Sequence, residues 1–172
     1  MNFKINEAIE LLERTPETLS RLLTGLSPGW LTCNEGGDTW NVLEVVAHLI
    51  EGEKVNWIPR INMILTKGEN YTFPPFDRFA HLSNSEKDIE QLLQEFKQCR
   101  EESLALLKNE LNAINDYEQS ALHPEFGSVR LRELLSTWAV HDLTHISQIT
   151  RIMAKRYKKD VGPWQSYLSI LK

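Results

Sequence analysis

Apolar side chains recur along this chain every three or four positions. Ile5, Ala8, Ile9 and Leu12, then Leu19, Leu22, Leu23 and Leu26, fall on one face of a first helix. Thr15-Pro16 interrupts that face. Threonine caps helices and proline suits a first helical position, so a kink or a restart is expected there. Residues 27–38 read as a loop, because Pro28, Gly29, Gly36 and Gly37 are turn formers, and Asp38 or Thr39 can cap the next helix. This second helix is expected from about Trp40 to about Leu65, with Pro59 as a kink or an earlier end. Ser83 or Ser85 is expected to cap a third, whose buried stripe runs through Ile89, Leu92, Leu93, Phe96, Cys99, Ser103, Leu106, Leu107 and Leu111. Ser128 is expected to cap a fourth helix that reaches about Tyr157.

Two connections are long. Residues 68–82 are rich in aromatics (Tyr71, Phe73, Phe76 and Phe79), which either cover a pocket or pack over the end of the molecule. Residues 112–127 hold His123-Pro124-Glu125-Phe126-Gly127. After Gly162-Pro163, the residues Trp164, Tyr167, Leu168 and Leu171 form a short amphipathic tail that docks on the body or on a partner subunit. No strand pattern competes. The expectation is an all-α four-helix bundle with long connections and a short C-terminal helix, in one domain over residues 1–172.

Composition narrows the function. At 172 residues, with 41% hydrophobic and 25% charged positions, the chain can bury a continuous core. A net charge of -5, with no basic block and no glycine-rich phosphate loop, argues against nucleic acid as a partner. Cys33 and Cys99 are the only cysteines, which suits free thiols in a reducing compartment. The N-terminal segment lacks the apolar run of a signal peptide, and no stretch approaches a membrane span. A cytoplasmic protein is expected.

The chemistry concentrates in histidines. His141 and His145 are four apart inside the fourth helical pattern, so both rings share one face. That face also carries Leu134, Thr137, Trp138, Gln148 and Ile152, so the histidines interrupt a core-facing stripe. A buried polar group without a partner costs about 1–3 kcal/mol. A bound metal would satisfy both rings, with Gln148 hydrogen-bonding a water or substrate. His48 lies on the second helix, on a face with Asn41, Glu44, Val45, Glu51, Gly52 and Val55. Gly52 weakens a helix, which is tolerable if space is needed beside His48. Glu44 and Glu51 flank His48 as candidates to orient an imidazole or to act as general base. Three neutral imidazoles around one divalent ion, with a position left open, describe a catalytic site rather than a structural one. His81 and His123 fall in connections, where solvent exposure is the default.

Neither of two related site types fits. A zinc-protease helix needs Glu directly after the first histidine, where this chain has Asp142. Di-iron bundles need Glu-x-x-His on two helices, and His48-x-x-Glu51 runs the reverse way. A mononuclear site remains.

Several segments resemble the DinB-like superfamily, near its YfiT-like metal-dependent hydrolases. They are Thr39-Trp40-Asn41 with Glu44 and His48-Leu49, then Gly127 with Leu131, Glu133 and Leu134, and Val161-Gly162-Pro163-Trp164 with Tyr167-Leu168. The strongest is the run from Trp138 to Ile149 that contains His141-Asp142-Leu143-Thr144-His145. The resemblance implies a four-helix bundle, often a homodimer, whose divalent ion is held by His48, His141 and His145. It implies a metal-dependent hydrolase, or a transferase that uses a low-molecular-weight thiol, acting on a small-molecule substrate. The alternative is a non-catalytic, metal-stabilised dimeric binding or stress-response accessory protein. Zinc, nickel, iron and manganese all suit three imidazoles.

Overall fold

The computed structural model describes residues 2–84, 87–111 and 114–172. Its helices are α1 (Ile5–Leu23), α2 (Pro28–Leu31), α3 (Val42–Val55), α4 (Trp57–Lys67), α5 (Ile89–Glu110) and α6 (Leu131–Arg156). Strands β1 (Ser120–His123) and β2 (Gly127–Arg130) form one antiparallel hairpin before α6. Short 3-10 segments span Ala80–Asn84, Gly162–Tyr167 and Ser169–Leu171. Helix α1 packs on α5 and α6, and the α3–α4 pair packs on the same two, which closes a four-helix bundle.

Several boundaries differ from expectation, each for a local reason. Helix α1 neither restarts nor ends at Thr15-Pro16. Pro16 has no N–H to offer the Leu12 carbonyl one turn back. That carbonyl instead accepts a 2.8 Å hydrogen bond from Arg100 Nη1. The expected second helix divides at Asn56, upstream of Pro59. Pro59 is thereby the third residue of α4, where a backbone N–H has no helical partner to lose. The α3 cap is Asn41, not Asp38 or Thr39: its side chain accepts from Glu44 N at 3.0 Å, and Glu44 Oε2 accepts from Asn41 N at 2.7 Å. Asp88 caps α5 through the same reciprocal arrangement with Gln91. Ser83 lies upstream in the 3-10 segment, and Ser85 lies outside the described residues.

The hairpin corrects the expectation of no strands. Ser128 sits in β2 opposite Leu122 rather than capping α6, which begins only at Leu131. The strands have four residues each, too short for a periodic pattern to register. The 68–82 connection is stitched to this hairpin: Phe73 N donates to Leu122 O and Leu122 N donates to Tyr71 O, both at 2.8 Å. At the C-terminus Leu171 is the residue that docks on the body, while Trp164 and Tyr167 point outward at 69% and 83% exposure. Leu106, expected in the α5 stripe, is also exposed.

The core falls into two apolar clusters. One holds Leu12, Trp57, Ile61, Leu104, Leu107 and Trp138; the other holds Leu19, Leu49, Leu93, Phe96 and Ile149. Between them lies a polar layer drawn from all four bundle positions: Thr15, Glu53, Arg100 and Asp142, none more than 4% exposed. The Arg100 guanidinium meets both Asp142 oxygens at 2.6 and 2.9 Å, Glu53 Oε1 at 2.8 Å and the Leu12 carbonyl. It also lies against the rings of Phe96 and Trp138. Glu53 Oε1 accepts a further 2.9 Å bond from Trp138 Nε1. Burial alone would weaken the Arg100 charge, but the Glu53 and Asp142 carboxylates overcome it and raise the pKa.

Removing one member of a buried ion network strands the others. Arg100→Met is therefore expected to cost about 3–5 kcal/mol, seen as a lower urea midpoint with unchanged slope. Arg21→Ala, which breaks only the exposed pair with Glu17, should leave the midpoint nearly in place.

Candidate metal centre

The three histidines meet beside this polar layer. His48 comes from α3; His141 and His145 come from successive turns of α6. His141 Nε2 lies 3.3 Å from His48 Nε2 and 3.1 Å from His145 Nε2. One ligand atom from each ring lies within 4.8 Å of the other two. Nitrogens held about 2.0–2.1 Å from one tetrahedral ion stand roughly 3.3 Å apart, so the cluster has the span of a metal site.

Protonation supports the same reading. Burial, reinforced by the neighbouring His145 and His81, pushes the His48 pKa down to about 3, against the backbone of Arg78. Burial, with His145, His48 and Arg100 adding to it, takes His141 down to about 3. Burial lowers His145 as well, opposed by its bond to Gln148 and by Asp142. All three rings are thus neutral near neutral pH. The carbonyl oxygen of Gln148 accepts from His145 Nδ1 at 2.8 Å, which leaves the lone pair of His145 on Nε2. His141 Nε2 carries at most one proton and cannot serve both neighbours. A shared cation satisfies all three nitrogens at once, and the donor set fits one.

Aromatic rings wall the cluster. Trp40 lies 4.8 Å from His48 and stacks at 6.5 Å on His145; Phe76 lies 5.9 Å from His48, and Trp57 meets His141 edge-on at 5.1 Å. The histidines open into a cleft of about 510 Å³, whose other walls include Trp40, Phe76, Arg78, Phe79 and Gln148. The aromatic connection accordingly does both things foreseen for it. Phe73 is buried in the core, while Phe76 and Phe79 line the cleft.

The remaining candidates take other places. Gln148 reaches the cluster through His145. Glu44 is engaged in the α3 capping box and borders a small side cavity with His81. Glu51 borders a neighbouring cavity with Lys54 and Glu95. Neither carboxylate lines the metal cleft. Gly52 makes room for Trp57 rather than for His48, since a Cβ there would lie 3.2 Å from Trp57 Nε1. His123 stacks on Phe126 in the hairpin, away from the cluster.

Residues outside the sequence-based set also shape the site. His81 was expected in solvent but is 3% exposed, its ring 4.5 Å from Trp40 and 5.2 Å from His48. The aromatic company in its connection was the available signal. Glu53, Arg100 and Asp142 each interrupt an apolar stripe at one level of the bundle. That coincidence was visible in the sequence only as three separate charges.

A family model described as the DinB superfamily matches residues 11–149, which include all three histidines. The chain belongs to the DinB superfamily. Among similar proteins, one of Oceanobacillus iheyensis named "putative metal-dependent hydrolase" is 26% identical over 157 residues, covering 90% of this chain and 89% of its own. One of Bacillus cereus with the same description is 25% identical over 150 residues, covering 86% and 84%. The structure of YfiT from Bacillus subtilis, described as "a probable metal-dependent hydrolase with an unusual four-helix bundle topology", superposes with a TM-score of 0.74. It covers 94% of this chain and 90% of its own at 22% identity, which establishes the shared fold. No helix among the described residues is long and apolar enough to cross a membrane.

Two outcomes are expected here. Gln148→Leu removes the acceptor that fixes the His145 tautomer, and zinc affinity should fall about 10- to 100-fold in competition with a chromophoric chelator. The second concerns Glu35, at the cleft wall. The hydrogen bond from Arg151 holds its carboxyl down at about 2, against burial and with help from Lys155. A depressed carboxylate stabilises the fold above its unfolded pKa of 4.5 and loses that contribution as pH falls towards 2. The Tm gap between the wild type and Glu35→Gln should therefore be constant above about pH 5.5 and close on acidification.

Proposed function

We propose that this protein is a metal-dependent enzyme of hydrolase type, acting on a small molecule at a divalent ion held by His48, His141 and His145. The observation that carries this reading is the convergence of three neutral imidazole nitrogens on one point at the floor of an open cleft. A divalent ion there would supply a Lewis acid that polarises a substrate oxygen and acidifies water or a thiol near neutral pH. The chain's own contribution is placement. His145 is held in the ligating tautomer by Gln148, and Trp40 and Phe76 exclude water from one side of the cluster. Glu44 and Glu51 face other cavities, Asp142 and Glu53 are held by Arg100, and Glu35 is paired with Arg151 and Lys155, which leaves Asp38 as the remaining carboxylate of the cleft lining.

Transfer of a low-molecular-weight thiol is the second reading. Neither Cys33 nor Cys99 lines the cleft, so a reacting thiol would arrive with the substrate. Cys33 contacts the Trp30 carbonyl, and burial raises the Cys99 pKa. We further propose a cytoplasmic homodimer, supported by the free cysteines and by the outward-facing Trp164 and Tyr167.

The deciding measurement is elemental analysis of the purified protein beside a His141→Ala/His145→Ala variant. One ion per wild-type chain, absent from the variant while its helical signal persists, is the expected result. A wild type that stays metal-free after incubation with zinc, nickel and iron would sink the reading. Light scattering of Trp164→Ala should report a smaller species than the wild type if the dimer forms through that face.

A further inference from the structure

The metal cleft is lined by charges of both signs. The chain carries a net charge of -5. Of the charged residues that line the cleft, Arg78 is the cation and Glu35 and Asp38 are the carboxylates. Glu35 is fully engaged: Arg151 binds both its oxygens at 2.7 and 2.8 Å, and Lys155 approaches Oε1 at 2.7 Å. Arg78 is different. Among the described residues no carboxylate pairs with it, and its guanidinium carbon lies 4.9 Å above the Phe79 ring. Its backbone is fixed by a tight turn in which the Asp77 side chain accepts from Phe79 N at 2.9 Å and the Asp77 carbonyl from Ala80 N at 3.3 Å. The backbone of the same residue lies against His48 and His81. Arg78 thus stands beside the metal-site histidines on a turn that fixes its main chain, and its side chain lines the cleft. The three imidazoles bring no negative charge to offset either this cation or a divalent ion.

The geometry points to an anionic small molecule as the ligand of this cleft, its carboxylate or phosphate paired with Arg78 and its apolar body against Trp40 and Phe76. This rests on the proposed metal-enzyme reading for the identity of the site, and on Arg78 for the ligand's charge. A planar guanidinium already seated on an aromatic face suits two-point pairing with a carboxylate or phosphate. A cleft of about 510 Å³ accommodates a ligand of that size.

The test is calorimetric titration of the full-length, zinc-loaded protein with benzoate, phenyl phosphate and neutral benzamide, with zinc content measured in every sample. At least one anion should bind about tenfold or more tightly than benzamide. Arg78→Gln should abolish that preference while leaving zinc content and benzamide binding unchanged. Preference for benzoate or for phenyl phosphate names the anion class. Anions that bind no better than benzamide, or an Arg78→Gln protein that retains the preference, would overturn the inference. A wild type that takes up neither zinc, nickel nor iron yet still prefers the anions through Arg78 would overturn the metal reading and leave this one standing.

Discussion

A single buried cation organises this bundle. Arg100 of α5 reaches the Leu12 carbonyl of α1, Glu53 of α3 and Asp142 of α6, so one guanidinium touches every bundle position. Its planar fork uses four of its five donors on these partners, a geometry that a lysine could not reproduce. Pro16 takes part at a distance: by lacking an N–H, it leaves the Leu12 carbonyl free for Arg100. Burying such a network seldom adds stability over an apolar core. It does penalise misregister, because sliding any helix by a turn would strand a buried charge.

That register matters for the histidines. Asp142 is the residue directly after His141, and Glu53 lies five residues beyond His48. The contacts that fix α3 against α6 are therefore made within about a turn of the nitrogens that must converge. A metal cluster tolerates little misplacement, since its ligands must lie within a few tenths of an ångström of their ideal distances. The metal cluster adjoins the ion network, which the two apolar clusters flank, and opens on its other side into the cleft.

The second organising element is the 68–82 connection. Phe73 anchors it in the core, and its backbone pairs with the hairpin. From that anchorage Phe76, Arg78 and Phe79 line the cleft while His81 packs behind Trp40. A segment without regular structure over most of its length thus provides much of the wall around the histidines, and its side chains are where substrate selectivity would be set.

The sequence by itself determined the four-helix class, the pairing of His141 with His145 and the candidacy of His48. These come from a 3.6-residue period, which depends only on which positions are apolar. Helix caps were harder to place, as Asn41 and Asp88 show, because several neighbouring residues can cap and tertiary packing selects one. The hairpin was invisible because pairing across four residues leaves no periodic trace. Only the tertiary structure decided that Arg100, Glu53 and Asp142 meet, that His81 is buried, and that Gln148 but neither Glu44 nor Glu51 reaches the cluster. Those are contacts between residues distant in sequence or choices between faces of one helix, and a one-dimensional pattern carries neither.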